Sequence, residues 1–190
     1  MVEALTPVFP TEFEFPLPHP VSGKVYTLVR ADSLTQSGAE MADLVTACNE
    51  PLIYHWLFAE RLSGQPYTAA QASSFFDWMR RGWKERTFFV FALLSPCGRL
   101  VGLLDIKGPD LESAEVGYWL SARHGGLMSL ALSVLQTLAE QAGYRSLYAR
   151  IRPGNTRSQA VVCRLGWQDQ GLDTSGEHRR FAWTALDRTG

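Results

Sequence analysis

Cysteine is scarce in this sequence. Cys48, Cys97 and Cys163 are odd in number and far apart, which argues against a disulfide framework and leaves reduced thiols. Cys163 falls in a helical pattern, where a small buried packing role is expected of it. No apolar run approaches the ~20 residues of a membrane span. The start Met1-Val2-Glu3-Ala4 lacks the basic-then-apolar profile of an export signal, so the expectation is a cytoplasmic protein with no membrane partner. Charge of either sign is not in excess: the net charge is −1 and lysines are few, so no bulk field draws the chain to nucleic acid. His19, His55, His124 and His178 show no ligand spacing and no cysteine or carboxylate cluster accompanies them, so no metal is expected. No internal repeat is visible. What the chain does have is 190 residues of which 46% are hydrophobic, enough for one domain with a substantial core.

Residues 1–22 interleave Pro7, Pro10, Pro16, Pro18 and Pro20 with Phe9, Phe13 and Phe15. Proline at that density excludes a regular helix and a central strand, so the segment reads as an extended arm whose aromatics pack on the domain or on a second subunit. The remainder, 23–190, reads as a single domain. Val25 to Arg30 alternates as a strand, and an amphipathic helix is expected over Gln36 to Thr46. Asn49 to Tyr67 reads as irregular, because Glu50-Pro51 stops a helix from simply continuing. Thr68-Ala69-Ala70-Gln71 is a capping box, and Ala72, Phe75, Phe76 and Met79 follow it at helical spacing. Thr87–Leu94 and Leu100–Ile106 form a hairpin around Ser95-Pro96-Cys97-Gly98. A strand over Ser113–Leu120, a helix over Leu127–Gln141, a strand from Ser146, a helix over Asn155–Leu165 and strands at Trp167–Leu172 and Arg179–Ala185 complete the pattern. The order is β-α-α-β-β-β-α-β-α-β-β, an α/β (α+β) mixed sheet with helices on its faces.

The informative stretch is Glu115-Val116-Gly117-Tyr118-Trp119-Leu120, which feeds a helix through Ser121-Ala122-Arg123-His124-Gly125-Gly126-Leu127-Met128-Ser129. The first turn of a helix leaves backbone N–H groups unpaired at the positive end of the macrodipole, so a phosphate can be held there. Two glycines admit close approach and Arg123 can add a charge-assisted bond; the same residues also serve as a tight turn. The chain then continues through Asn155-Thr156-Arg157-Ser158 to Leu165-Gly166-Trp167.

Strand, glycine loop, helix, strand and then N-x-x-S-x-x-V-x-x-x-L-G-[FW] resembles the acetyl-CoA-binding core of the GNAT superfamily of N-acyltransferases, and most of all its RimJ/RimL-like, ribosomal-protein-acetyltransferase-like branch. The resemblance spans Val25 to Thr184 and is sharp over Glu115 to Trp167. It implies the GNAT fold, in which the strands corresponding to Ser113–Leu120 and to the run from Ser146 splay apart. It also implies direct transfer of an acetyl group from acetyl-CoA, as co-substrate, to a primary amine on a protein N-terminus or a small molecule. In the family's Q/R-x-x-G-x-G/A signature, Arg123 and Gly126, with backbone groups of Gly125, Leu127, Met128 and Ser129, hold the pyrophosphate at the end of the strand closed by Leu120. The resemblance further implies that Asn155 contacts the pantetheine arm, that Ser158 protonates or hydrogen-bonds the departing thiolate, and that Glu115 deprotonates the amine through water, with Asp105 second.

Each assignment has a structural counterpart in elementary chemistry. Asn155 can be a helix cap, Ser158 can bond the preceding turn, and Glu115 can pair with a cation on a solvated strand face. The loop after Leu120-Ser121 is about two residues shorter than the family's, and Met128 stands where the signature has a small residue. Those departures support an alternative: an inactive GNAT-fold binding or dimerisation module, with a homodimer through the Pro/Phe arm and the aromatic 49–67 segment. Acyl-chain length, acceptor and the arm's role are left open by the sequence.

Overall fold

The computed structural model describes residues 6–185. The first five residues of the Pro/Phe arm lie outside them. The chain forms β1 (Glu14–Pro18), β2 (Val25–Arg30), α1 (Gly38–Cys48), α2 (Pro51–Leu57), α3 (Ala69–Glu85), β3 (Phe89–Leu94), β4 (Leu100–Ile106), β5 (Ala114–Leu120), α4 (Met128–Gln141), β6 (Ser146–Ile151), α5 (Thr156–Arg164), β7 (Gln168–Leu172) and β8 (Arg179–Thr184). The strands make one eight-stranded sheet in the order β1-β2-β3-β4-β5-β6-β8-β7. All pairs are antiparallel except β5 with β6. No helix among the described residues is long and apolar enough to cross a membrane.

Two elements go beyond the order read from the sequence. β1 adds an edge strand on β2, with Pro16 opposite Thr27 and Pro18 opposite Val25; an edge is where a residue without an N–H can sit in a sheet. α2 occupies part of the stretch read as irregular. Pro51 stands in its first turn, where a fixed φ and a missing donor suit a helix start, so the residue that halts α1 begins α2. Asn49 holds the junction by donating from Nδ2 to the Val45 and Tyr67 carbonyls and accepting from the Tyr67 N–H on Oδ1.

Helix starts follow their caps. Gln36 adopts φ +60°, outside the helical region, so α1 begins at Gly38 instead, with a reciprocal capping box between Ser37 and Glu40. Thr68 and Gln71 form the second box at α3, as their spacing predicts. Cys163 is a correction: it is exposed. Val162 is the residue of α5 that is buried, and its neighbour, turned about 100° around the helix, faces outward.

The core lies on both sheet faces. α3 covers β3, and its Trp83 donates from the indole N–H to the Val90 carbonyl at 2.8 Å. The arm joins this cluster: the Phe9 ring lies 4.7 Å from Phe89, 5.5 Å from Phe91 and 5.6 Å from Trp83. Phe15, by contrast, is 41% exposed. Phe9→Ala is therefore expected to lower stability by about 2 kcal/mol, below the cost at a fully enclosed site, while Phe15→Ala stays within about 0.5 kcal/mol. Urea unfolding of both variants checks this; equal effects would mean that the arm is not anchored through Phe9.

Candidate functional site

The sheet opens at its centre. β5 and β6 pair only at Ala114 with Leu147 and Glu115 with Tyr148, after which β5 continues to Leu120 bonded to β4 alone. The edge of β5 that faces the gap therefore carries backbone polar groups without a strand partner. On β5, side chains alternate between faces: Glu115, Gly117 and Trp119 turn one way, with Asp105 and Leu103 opposite Gly117 and Trp119 on β4, and Tyr118 and Leu120 turn the other.

The gap is floored by a hydroxyl pair. Ser158 Oγ donates to the Tyr118 hydroxyl at 2.9 Å, and that hydroxyl donates to the Ser158 carbonyl at 2.9 Å. Ser158 thus directs its proton to the Tyr118 oxygen, and no donor among the described residues takes its lone pairs. Burial raises the Tyr118 phenol's pKa, so it stays protonated at neutral pH. Asn155 is the cap of α5, its Oδ1 accepting from the Ser158 N–H at 3.2 Å, and this fixes where Ser158 stands. Asn155, Ser158 and Tyr118 all line a cavity of about 580 Å³ that runs between α2, α4 and α5.

At the far end of that cavity is the loop from Ser121 to Leu127. The Glu50 carboxylate, at the start of α2, accepts from Ser121 Oγ at 2.6 Å and from the Ala122 N–H at 2.8 Å. The Gly125 carbonyl lies 2.9 Å from His19 Nε2, and Gly126 takes φ +98°, which a side chain would strain. Desolvation lowers the pKa of His124 against the opposing pull of Glu50; its Nδ1 lies 2.8 Å from the Tyr26 hydroxyl. No group among the described residues accepts from the N–H groups of Gly126, Leu127, Met128 or Ser129, the arrangement that receives an anion at a helix start. Leu127 and Met128 are buried. Leu120, Gly125, Gly126, Met128 and Ser129 line the cavity, whereas Arg123 is exposed and does not. Arg157 and Arg164 of α5 do line it. Sequence reasoning missed them: the two arginines, seven residues apart, share a helix face, but no local pattern says that this face meets the cavity.

The two carboxylates lie on the opposite face. Glu115 accepts from Lys107 Nζ at 2.7 Å and lines a smaller polar cleft shared with Tyr118, Asn155 and Ser158. Asp105 Oδ1 accepts from the Gly117 N–H at 2.8 Å. Desolvation pushes the Asp105 carboxyl up, opposed by Lys107 and the Gly117 bond. Desolvation also pulls Lys107 down, but Asp105 and Glu115 outweigh it and leave its pKa raised. Among the described residues no group of three or more His, Cys, Asp or Glu could hold a metal.

The mixed sheet is parted at its middle, with the helix start on one side of the gap and the carboxylates on the other. The sequence matches the acetyltransferase (GNAT) domain family over residues 34–168, and the chain belongs to that family, whose enzymes use acyl-CoA. No curated protein matches the chain by sequence. Among solved structures, the chain is similar to Mycobacterium smegmatis RimJ in complex with CoA-disulfide, at 21% identity and TM-score 0.67, covering 94% of this chain and 89% of that one. It is similar to RimL, the ribosomal L7/L12 alpha-N-protein acetyltransferase, at 18% identity and TM-score 0.70, covering 95% and 99%. It is also similar to the ribosomal-protein-S5-alanine acetyltransferase of Vibrio fischeri, at 18% identity and TM-score 0.68, covering 94% and 98%.

The raised Asp105 pKa carries a stability consequence. The folded state holds this proton more tightly than the unfolded state, so stability declines as pH rises from about 4, near the carboxyl's ordinary value, up through the folded pKa. Asp105→Asn keeps an oxygen for the Gly117 N–H and removes the titration. The stability difference between variant and parent should grow over that pH range and then level off, read from urea unfolding at a series of pH values. A difference independent of pH would show that Asp105 does not carry the proton.

Proposed function

We propose that the chain is an acetyl-CoA-dependent N-acetyltransferase that moves an acetyl group directly to a primary amine, on a protein N-terminus or a small molecule. The observation that carries this reading is the juxtaposition, at the β5–β6 gap, of the Ser158–Tyr118 hydroxyl pair with a helix start whose N–H groups have no acceptor. The donor set suits a pyrophosphate: backbone N–H groups of Gly125, Gly126, Leu127, Met128 and Ser129, with Arg157 and Arg164 on the cavity wall and Arg123 on the exposed side of the loop. Leu120 closes the strand end beside them. The unpartnered backbone edge of β5 and the Asn155 side of α5 suit the amide groups of a pantetheine arm.

Acetyl-CoA supplies the activated acetyl group. The amine nitrogen bonds to the acetyl carbonyl carbon while the carbon–sulfur bond breaks; an acceptor that arrives as ammonium gives up two protons, one released to solvent before attack and one that ends on the departing sulfur. Glu115, joined to Lys107, takes the amine's proton through water. Ser158 turns its hydroxyl from Tyr118 to the sulfur, whose charge it meets with a hydrogen bond, and Tyr118 keeps the serine placed. No covalent enzyme intermediate is needed.

Calorimetric titration with acetyl-CoA tests the reading. Saturable binding in the micromolar range, on the order of −8 kcal/mol, is expected, with weaker binding by dephospho-CoA. No binding at millimolar concentration would exclude the acetyltransferase and favour the inactive module. Ser158→Ala should lower kcat on the order of a hundredfold, at the lower end of the usual worth of a transition-state donor, with acetyl-CoA affinity retained. Unchanged turnover would remove the serine from the reaction.

A further inference from the structure

A second cavity, of about 760 Å³, lies on the carboxylate face of the sheet, between α1, α3 and the β4–β5 pair. Leu57 and Trp119 line both cavities, so the second adjoins the first at the end of α2. Its walls are apolar and aromatic: Leu44, Tyr67, Phe75, Trp78, Leu103 and Trp119. Trp78 and Leu57 are 39% and 44% exposed, although each has an apolar cavity to face. The wall is firm, since Trp78 stacks on Phe88 with ring centroids 3.8 Å apart.

Two charged groups restrict what can enter. Asp105 lines the cavity beside the gap. One of its oxygens is held by Gly117, and the other has no hydrogen-bond partner among the described residues. An ammonium group brought to the gap meets that oxygen. At the rim, Arg61 places its guanidinium 4.9 Å from the Phe58 ring centroid and forms no ion pair among the described residues. A free cation there repels a second positive charge on the acceptor. The cavity therefore suits an amine with one positive charge followed by an apolar body, and it disfavours a polyamine or a small hydroxylated amine.

We propose that this cavity is the specificity pocket for the acceptor and takes a large aromatic or branched-aliphatic group carried next to the primary amine that is acetylated, a proposal that rests on the acetyltransferase reading above. Asp105 receives the ammonium before it loses its proton, and the apolar body displaces water from the aromatic walls. The same chemistry is offered by a free arylalkylamine and by a peptide beginning with Phe or Leu.

The test measures thiol release from acetyl-CoA with matched acceptors: 2-phenylethylamine against ethanolamine and spermidine, and peptides identical except for an N-terminal Phe, Leu, Ser or Asp. A preference in kcat/KM for the apolar member of ~tenfold or more is expected from filling the pocket, and whichever of the two sets shows the higher kcat/KM identifies the source. Ser74 and Ala70 line the cavity from the exposed side of α3, so Ser74→Phe and Ala70→Phe narrow it without disturbing the core. Both should reduce the preference towards unity while acetyl-CoA affinity is unchanged. Calorimetry of 2-phenylethylamine alone gives a readout independent of turnover, with weaker binding expected in Ser74→Phe and in Asp105→Asn. Equal kcat/KM for apolar and polar acceptors, in a protein that binds acetyl-CoA, would overturn the pocket and leave the acetyltransferase standing. Amine binding weakened by Ser74→Phe in a protein that binds no acetyl-CoA would support the pocket and overturn the reaction.

Discussion

A parallel strand pair needs a connection that crosses the sheet, and here α4 makes that crossing from the end of β5 to the start of β6. The two strands then pair over only two residues before they part. Everything of chemical interest depends on that parting. Had the ladder continued, the polar groups on the open edge of β5 would be spent on β6 and the Tyr118 ring could not reach across to α5. Because it stops at Glu115, the sheet that separates its two helical layers becomes permeable at one place, and side chains from opposite faces of one strand address the same opening.

The opening is kept by inexpensive local devices. Asn155 caps α5 and in doing so fixes Ser158, so one side chain serves helix stability and site geometry together. Tyr118 and Ser158 satisfy one another, which keeps two hydroxyls in a half-buried place without the desolvation cost of an unpaired polar group. Lys107 joins Glu115 and influences Asp105, so one cation faces two carboxyl groups and a cationic substrate adds charge where a carboxyl oxygen is open.

Much of this was legible in the sequence. The capping box at Thr68, the hairpin around Ser95–Gly98 and the run from Glu115 through Trp167 are local patterns, and local patterns are what a sequence records. The shortfalls have physical causes. Pro51 was read as a stop, because proline breaks a helix it interrupts, whereas it also begins one. Periodicity places Gln36 inside a helix, but periodicity carries no information about a left-handed φ. Cys163 was assigned to the interior by residue type, but nine residues of helix bury only the narrow face carrying Val162. Arg123 stood out by its position in a motif, while Arg157 and Arg164 line the cavity only because α5 is set against α4, a tertiary fact. The contacts of Glu50 and His19 with the loop cross 71 to 106 residues and no local pattern could display them.

Glu50 shows how those distant contacts bind the parts into one site. On the proposed reading, a carboxylate beside this loop is unfavourable by itself, since it repels a phosphate. Here it is tied to Ser121 Oγ and the Ala122 N–H at the near end of the loop, while the N–H groups that remain free belong to the far end, Gly126 to Ser129. The carboxylate thus consumes the donors next to the strand and leaves those at the helix start. Glu50 also immediately precedes Pro51 and accepts, through its carbonyl, from the Tyr54 N–H of α2. The residue that shapes the loop is therefore the residue that starts the helix whose far end, Leu57, separates the two cavities. Loop, helix and partition are thus positioned together by one anchor from across the fold.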